Sequence, residues 1–228
     1  MIPAIEVIGL NKSFTLHVQG GVNIPVLEGF NMEVYPCQCV ALNGPSGMGK
    51  SSLLRSLYAN YKPQAGSVLI SHRSSRVDMV SAEPRVVLDV RRFTMGFVSQ
   101  FLRVIPRVPA LKVVAEPLRT LGVGSTEAEE RAAMLLDRLR IPRRLWSLSP
   151  FTFSGGEQQR INIARGFIAK YPIMLLDEPT ASLDVKNRGT VVELIKEAKA
   201  NGTAIVGIFH DTEVRDLVAD RIIELGNR

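Results

Sequence analysis

The residues in this 228-residue chain whose types and spacing best suit chemistry lie in Asn43-Gly44-Pro45-Ser46-Gly47-Met48-Gly49-Lys50-Ser51-Ser52. Gly44, Gly49, Lys50 and Ser51 fit the pattern G-x-x-x-x-G-K-[ST]. Val40-Ala41-Leu42 ahead of it reads as a buried strand, and Leu53, Leu54 and Leu57 behind it keep helical spacing. A triphosphate needs several donors converging on it, with no side chains crowding the approach. Gly44, Gly47 and Gly49 let consecutive backbone N–H groups curl into an anion nest. The helix start adds unsatisfied N–H groups and the positive end of its dipole. Lys50 is then placed to reach the β- and γ-phosphates, and the Ser51 hydroxyl to ligate Mg²⁺. The stretch reads as a nucleotide site.

A second set of acids answers it. Ile173-Met174-Leu175-Leu176-Asp177-Glu178-Pro179 places two carboxylates at the end of an apolar strand. Open α/β sheets collect ligands at such carboxyl ends. Asp177 is assigned to the Mg²⁺ coordination sphere, and Glu178 to accepting a proton from an attacking water and orienting it.

The elements that must hold these groups are readable from patterning. Residues 4–10 and 22–35 alternate apolar and polar positions, as half-buried antiparallel strands do. Strands are expected at 38–43, 67–70, 95–99, 172–176, 205–209 and 221–225, with helices from Lys50, at 84–92, 126–140, 187–200 and 213–218, and an extended hairpin over 72–82. Apolar strands alternating with helices imply a parallel sheet covered on both faces. From about 101 to 170 five prolines punctuate helical stretches, which suggests a helical insertion in one domain spanning 1–228.

Composition narrows the setting. The chain is 46% hydrophobic with a net charge of +6. That charge permits nucleic acid, an acidic protein surface or an anionic substrate, and selects none of them. No run approaches the ~20 apolar residues that span a membrane, and the N-terminal residues lack a signal-peptide pattern. A cytoplasmic protein with no direct membrane insertion is expected. Cys37 and Cys39, two apart and leading into the apolar stretch before the loop, would point to one face if both lay in a strand, and read as buried structural thiols rather than a metal site.

Further motifs make the resemblance specific. Ser154-Gly155-Gly156-Glu157-Gln158-Gln159-Arg160 resembles the signature motif of ABC ATPases, and Asp177 through Asp184 is similar to that family's Walker B and D-loop run. Gln100 falls at its Q-loop and His210 at the histidine that follows. The resemblance covers the whole chain. It implies an ABC nucleotide-binding domain: a P-loop, RecA-like parallel core with an antiparallel β subdomain and an inserted helical subdomain. It implies ATP and Mg²⁺ as cofactors, with Phe14 stacking on adenine and residues 43–52 around the phosphates. Gln100 would sense Mg²⁺ and the γ-phosphate, and His210 would contact the γ-phosphate. Ser154, Gly155, Gly156 and Asp184 would act on ATP held by a second subunit, so a dimer is implied, with itself or with a second ABC subunit. Phe153, Glu157 and Met48 depart slightly from the family's commonest residues, and none of the departures removes a phosphate ligand.

Within the family, an ABC protein acting on DNA or ribosomes would carry tandem domains or long insertions, which this sequence lacks, so no nucleic-acid partner is expected. The stretches 53–61, 98–108, 144–146, 152–168 and 204–211 resemble the L-type ATP-binding subunit of the bacterial carbon–phosphorus lyase system. That resemblance implies phosphonate catabolism, a link to ribose 1-phosphonate 5-triphosphate formation, and work with a second ABC subunit on the lyase core complex. Residues 100–108, apolar and basic by turns, are expected to dock the lyase assembly or the partner ATPase. The alternative is the ATPase subunit of a lipoprotein-export-type ABC transporter.

Overall fold

The computed structural model describes residues 1–16, 21–102 and 106–226. It is built on two sheets. The antiparallel one has the order β2-β1-β4-β5 and comprises β1 (Ile5–Leu16), β2 (Val22–Val34), β4 (Ala65–His72) and β5 (Ser75–Asp78). The parallel one has the order β6-β7-β8-β3-β9, from β3 (Cys39–Asn43), β6 (Met95–Val98), β7 (Ile173–Asp177), β8 (Ala204–Ile208) and β9 (Arg221–Glu224). Its helices are α1 (Lys50–Leu57), α2 (Pro84–Phe93), α3 (Ala110–Thr120), α4 (Ser125–Arg138), α5 (Gly155–Phe167), α6 (Val185–Ala200) and α7 (Thr212–Val218).

The central strands are apolar up to their last residues, Asn43 of β3 and Asp177 of β7, because both faces of the parallel sheet are covered. Cys39 and Ala41 of β3 face a core shared with α3, α4, α5 and α6, where Leu136, Ile161 and Ile195 are fully buried. Val40 and Leu42 face the opposite core, shared with α1 and the antiparallel sheet, where Ile5, Leu54 and Ile70 are fully buried. One strand thus joins two cores by the alternation of its side chains.

Register fixes what meets at the carboxyl edge. Leu42 of β3 pairs with Ile208 of β8, and Ile208 pairs with Asp177 of β7. The loops leaving these strands therefore start at one level, side by side. Between β6 and β7 the described chain is helical, with α3 and α4 packed together. Pro117 lies inside α3 rather than at a boundary. It sits past the first turn, and the helix continues to Thr120 around it.

One expectation needs correction. β3 begins only at Cys39, so the two thiols do not share a strand face. Cys39 is buried and Cys37 is exposed, in the turn after Pro36, with φ 64°. Burial pushes the Cys39 thiol up to about 12, which leaves it protonated and unreactive. Among the described residues no helix is long and apolar enough to cross a membrane.

Candidate functional site

The loop after β3 turns on glycines in left-handed conformations: Gly44 at φ 133°, Gly47 at 85° and Gly49 at 89°. At two of them space adds a second constraint. A Cβ on Gly44 would lie 2.2 Å from the Leu225 carbonyl oxygen, and one on Gly49 2.4 Å from Val26 Cγ1. Gly49 is also the N-cap of α1 and offers no side chain to its first N–H groups, which remain open to an anion. Lys50 Nζ donates to the carbonyls of Gly44 (2.6 Å) and Pro45 (2.8 Å), which holds the ammonium over the loop. Asn43 donates to Glu224 at 2.7 Å, tying the loop's entry to β9. Met48 packs against Gly226, and Pro45 and Ser46 are exposed. Ser52 turns its carbonyl to the Ser56 hydroxyl inside α1.

The acids lie where the register puts them. Ser51 Oγ donates to Asp177 Oδ1 at 3.1 Å, although the two are 126 residues apart. Burial raises the Asp177 pKa above its ordinary value, and the Ser51 hydrogen bond opposes that rise. A hydroxyl and a buried carboxylate form a hard-oxygen pair of the kind Mg²⁺ takes alongside phosphate oxygens. With the glycine cradle, the residues present fit a magnesium nucleotide.

Glu178, the next residue, has φ 53°, a backbone state that costs energy for a side-chain-bearing residue. Its N–H still donates to the Ile208 carbonyl at 3.1 Å, so the ladder holds the turn in place. Both carboxylate oxygens are engaged. His210 Nε2 lies 2.8 Å from Oε1, and Gln100 Nε2 donates to Oε2 at 3.1 Å. The sequence placed Gln100, Glu178 and His210 near one site, and the structure brings them into direct contact. Gln100 reaches Glu178 rather than Ser51 or Asp177.

The signature segment behaves differently. Ser154 caps α5 in a reciprocal box. Its N–H and hydroxyl both donate to Glu157 Oε2, at 2.9 and 2.7 Å, and the Glu157 N–H returns a bond to Ser154 Oγ at 3.4 Å. These bonds hold the Glu157 carboxyl below its usual range. Asp184 caps α6 by accepting from the Asn187 N–H at 2.8 Å, and that bond holds its carboxyl low. Gly155 and Gly156 form the first turn of α5, where a Cβ on Gly156 would lie 3.0 Å from the Ser182 carbonyl oxygen. Among the described residues no hydrogen bond or ion pair joins Ser154, Gly156 or Asp184 to residues 44–51.

Phe14 is half-buried, edge-on to Tyr61 with ring centroids 5.3 Å apart. Lys12 Nζ lies 4.9 Å from its ring centre. Of the expected docking stretch, Phe101 is 73% exposed, whereas Arg103 to Ile105 lie outside the described residues. Phe101, Gln100, Asp177 and Arg165 line a cavity of about 470 Å³. A cavity of about 340 Å³ shares Tyr58, Phe97, Asn162 and Arg165 with it and runs on between α2 and α3 to Leu88 and Thr120. Sequence reasoning missed Asn162, which donates to the Ser99 carbonyl at 2.5 Å and steadies the segment before Gln100. It also missed Asp211, the α7 cap. An Asp directly ahead of a helical run was the signal for the latter.

Comparison with known proteins agrees with this geometry. Residues 27–181 match the ABC transporter family. The lipoprotein-releasing system ATP-binding protein LolD 2 of Caulobacter vibrioides is 38% identical, over 98% of this chain and 94% of its own. LolD of Novosphingobium aromaticivorans is 36% identical, over 98% and 96%. The macrolide export ATP-binding/permease protein MacB of Wolinella succinogenes is 35% identical over 98% of this chain, which spans only 33% of that protein. The ATP-binding cassette MJ0796, solved as a dimer bound to ADP and Pi, superposes with a TM-score of 0.87 at 30% identity, covering 97% of this chain and 94% of that one.

These relatives correct the expectation of a carbon–phosphorus lyase subunit, its phosphonate role and its lyase core partner. Chains matched end to end are named for lipoprotein release instead. Part of the physical reason lies in residues of the stretches that carried that expectation. Leu53, Leu54, Leu57, Ile161, Ile163, Ile205 and Val206 are core, and core residues constrain a fold rather than a partner.

Proposed function

The chain belongs to the ABC transporter family, whose ATP-binding domain binds ATP with Mg²⁺ and hydrolyses it, and from that premise we propose that it is the ATPase subunit of a lipoprotein-export-type transporter. The observation that carries the finer reading is the end-to-end match to lipoprotein-releasing ATP-binding proteins of the same size. The subunit would sit on the cytoplasmic face of a membrane and drive a separate permease.

In this reading the loop N–H groups and Lys50 hold the β- and γ-phosphates, while Ser51 and Asp177 hold the magnesium ion, which supplies charge neutralisation to the phosphates. Glu178 polarises the attacking water. His210 and Gln100, already on its two oxygens, orient the carboxylate and stand next to the γ-phosphate. The α5 N-terminus would meet ATP held by a second copy, and Asp184 would lie in the same interface. To take part, the Ser154 hydroxyl must turn from Glu157 toward the incoming phosphate, because it has one proton to donate. Phe14 would stack on adenine after parting from Tyr61. Phe101 and the groove leading to Leu88 and Thr120 would receive a permease segment, close enough to Gln100 to report its movement.

The test is purification of the tagged full-length chain from detergent-solubilised membranes, together with an assay of lipoprotein release in cells depleted of it. Co-purification with an integral permease and retention of lipoproteins in the depleted cells is the expected result. Normal lipoprotein release, with macrolide sensitivity gained instead, would move the chain to the MacB-like role. Recovery without any membrane partner would overturn both.

A further inference from the structure

His210 touches Glu178, yet its side chain is 61% exposed, so packing does little to keep it there. Its position depends on the backbone that carries it. The next residue, Asp211, divides its carboxylate. Oδ1 accepts from the N–H groups of Glu213 (3.0 Å) and Val214 (3.3 Å), capping α7. Oδ2 pairs with Arg188 Nη1. Arg188 stands in the first turns of α6, and its Nε donates to the Leu183 carbonyl at 3.0 Å. Leu183 is buried and ends the turn that begins at Glu178, a turn closed by Leu183 N–H to Thr180 (3.2 Å) and Ala181 N–H to Glu178 (3.4 Å).

These contacts form a closed ring. It runs from Glu178 through its turn to Leu183, across Arg188 to Asp211, one peptide back to His210, and home to Glu178. Ahead of His210 the ladder bond from the Glu178 N–H to the Ile208 carbonyl (3.1 Å) ties the two segments, and beyond His210 the tie is the Arg188 side chain. Its guanidinium can do this because its donors form a rigid planar fork that serves a carbonyl and a carboxylate together.

We infer that Arg188 is a positioning residue for ATP hydrolysis: it clamps the His210 segment to the turn after Glu178, and so holds the imidazole on the carboxylate. This rests on the proposed roles of Glu178 and His210. It assigns a task to α6 that neither the phosphate loop nor the signature helix performs. A loosened ring lets His210 leave Glu178 without altering the phosphate loop, so turnover should fall while nucleotide binding stays.

The experiment is steady-state ATPase kinetics of the full chain with Mg²⁺, beside its melting temperature. Arg188→Ala should lower kcat about tenfold with the KM for ATP unchanged. Arg188→Lys should recover part of the loss, since an ammonium reaches one acceptor but cannot span both. Asp211→Asn keeps a capping oxygen and loses the charge. It should fall to a similar level, and the double variant Arg188→Ala/Asp211→Asn should cost no more than either alone. Wild-type kcat in Arg188→Ala, losses that multiply in the double variant, or a loss that merely follows the melting temperature with none recovered in Arg188→Lys, would overturn the clamp. Glu178→Gln separates the two levels. Undiminished hydrolysis there would remove the underlying role of Glu178, whereas an inactive Glu178→Gln beside a fully active Arg188→Ala would remove only the clamp.

Discussion

At the carboxyl edge of β3, β7 and β8, groups far apart in sequence touch: Ser51 and Asp177, 126 residues apart, and Gln100 and Glu178, 78 apart. Around Ser154 and Asp184 the bonds reach three residues, to Glu157 and Asn187. The first region is a tertiary constellation assembled by strand register. The second is a pair of helix caps with local partners. A chain that folds by itself can preorganise the first completely, whereas the second gains a substrate-facing role only when something outside the chain arrives. Changes in the two regions should therefore separate nucleotide binding from assembly.

The largest expected effect is on turnover. Glu178→Gln should lower kcat about 10³-fold, as loss of a general base does, with ATP affinity near wild type by equilibrium titration. Comparable turnover would mean that the finished half is not where water is activated. Lys50→Ala should weaken ATP binding about a hundredfold, since it removes the cation aimed at the phosphates where charge is greatest. Calorimetry would show it, and an unchanged Kd would break the assignment of the loop.

Asp177 sharpens the contrast through pH. Burial raises its folded-state pKa above the unfolded value. Its contribution to stability is therefore fully present below the unfolded pKa and is lost as pH rises through the folded pKa. At neutral pH the ionised carboxylate is a net cost to the fold, so Asp177→Asn should raise the melting temperature there and narrow its advantage in acid. The same variant should lose Mg²⁺-dependent hydrolysis. A lower melting temperature at pH 7, measured without nucleotide, would contradict the sign. The smallest effect belongs to Phe14→Ala. Base stacking worth about 1 kcal/mol predicts roughly a fivefold weaker Kd for ATP, less whatever the Tyr61 contact offsets. No change in affinity would leave Phe14 a packing residue.

Much of this was legible beforehand for reasons of local chemistry. A glycine loop between an apolar strand and a helix announces itself, and continuous apolar runs such as Ile173–Leu176 show strands buried on both faces. Glu178 could be placed because it ends such a strand, whereas His210 was placed at the same site only by the family resemblance. What escaped were features that depend on where a chain bends. Cys37 fell outside β3 because Pro36 and a left-handed turn delay the strand. Pro117 was absorbed into α3. Arg188 carried no signal in the sequence, because its partner Asp211 is brought to it only by the fold. The identity of the transporter partner escaped for another reason: several of the residues that suggested it, such as Leu53, Ile161 and Val206, are core and constrain the fold rather than a partner.

A split site predicts that the local half acts only across an interface, and mass determination of Glu178→Gln by light scattering tests that most directly. With ATP the variant should run at twice the chain mass, and without ATP at the chain mass. Adding Ser154→Arg, which fills the anion seat at the start of α5, should return it to the chain mass while ATP binding persists. A Glu178→Gln chain that stays monomeric with ATP bound, or one that still dimerises after Ser154→Arg, would contradict a site completed by a second copy.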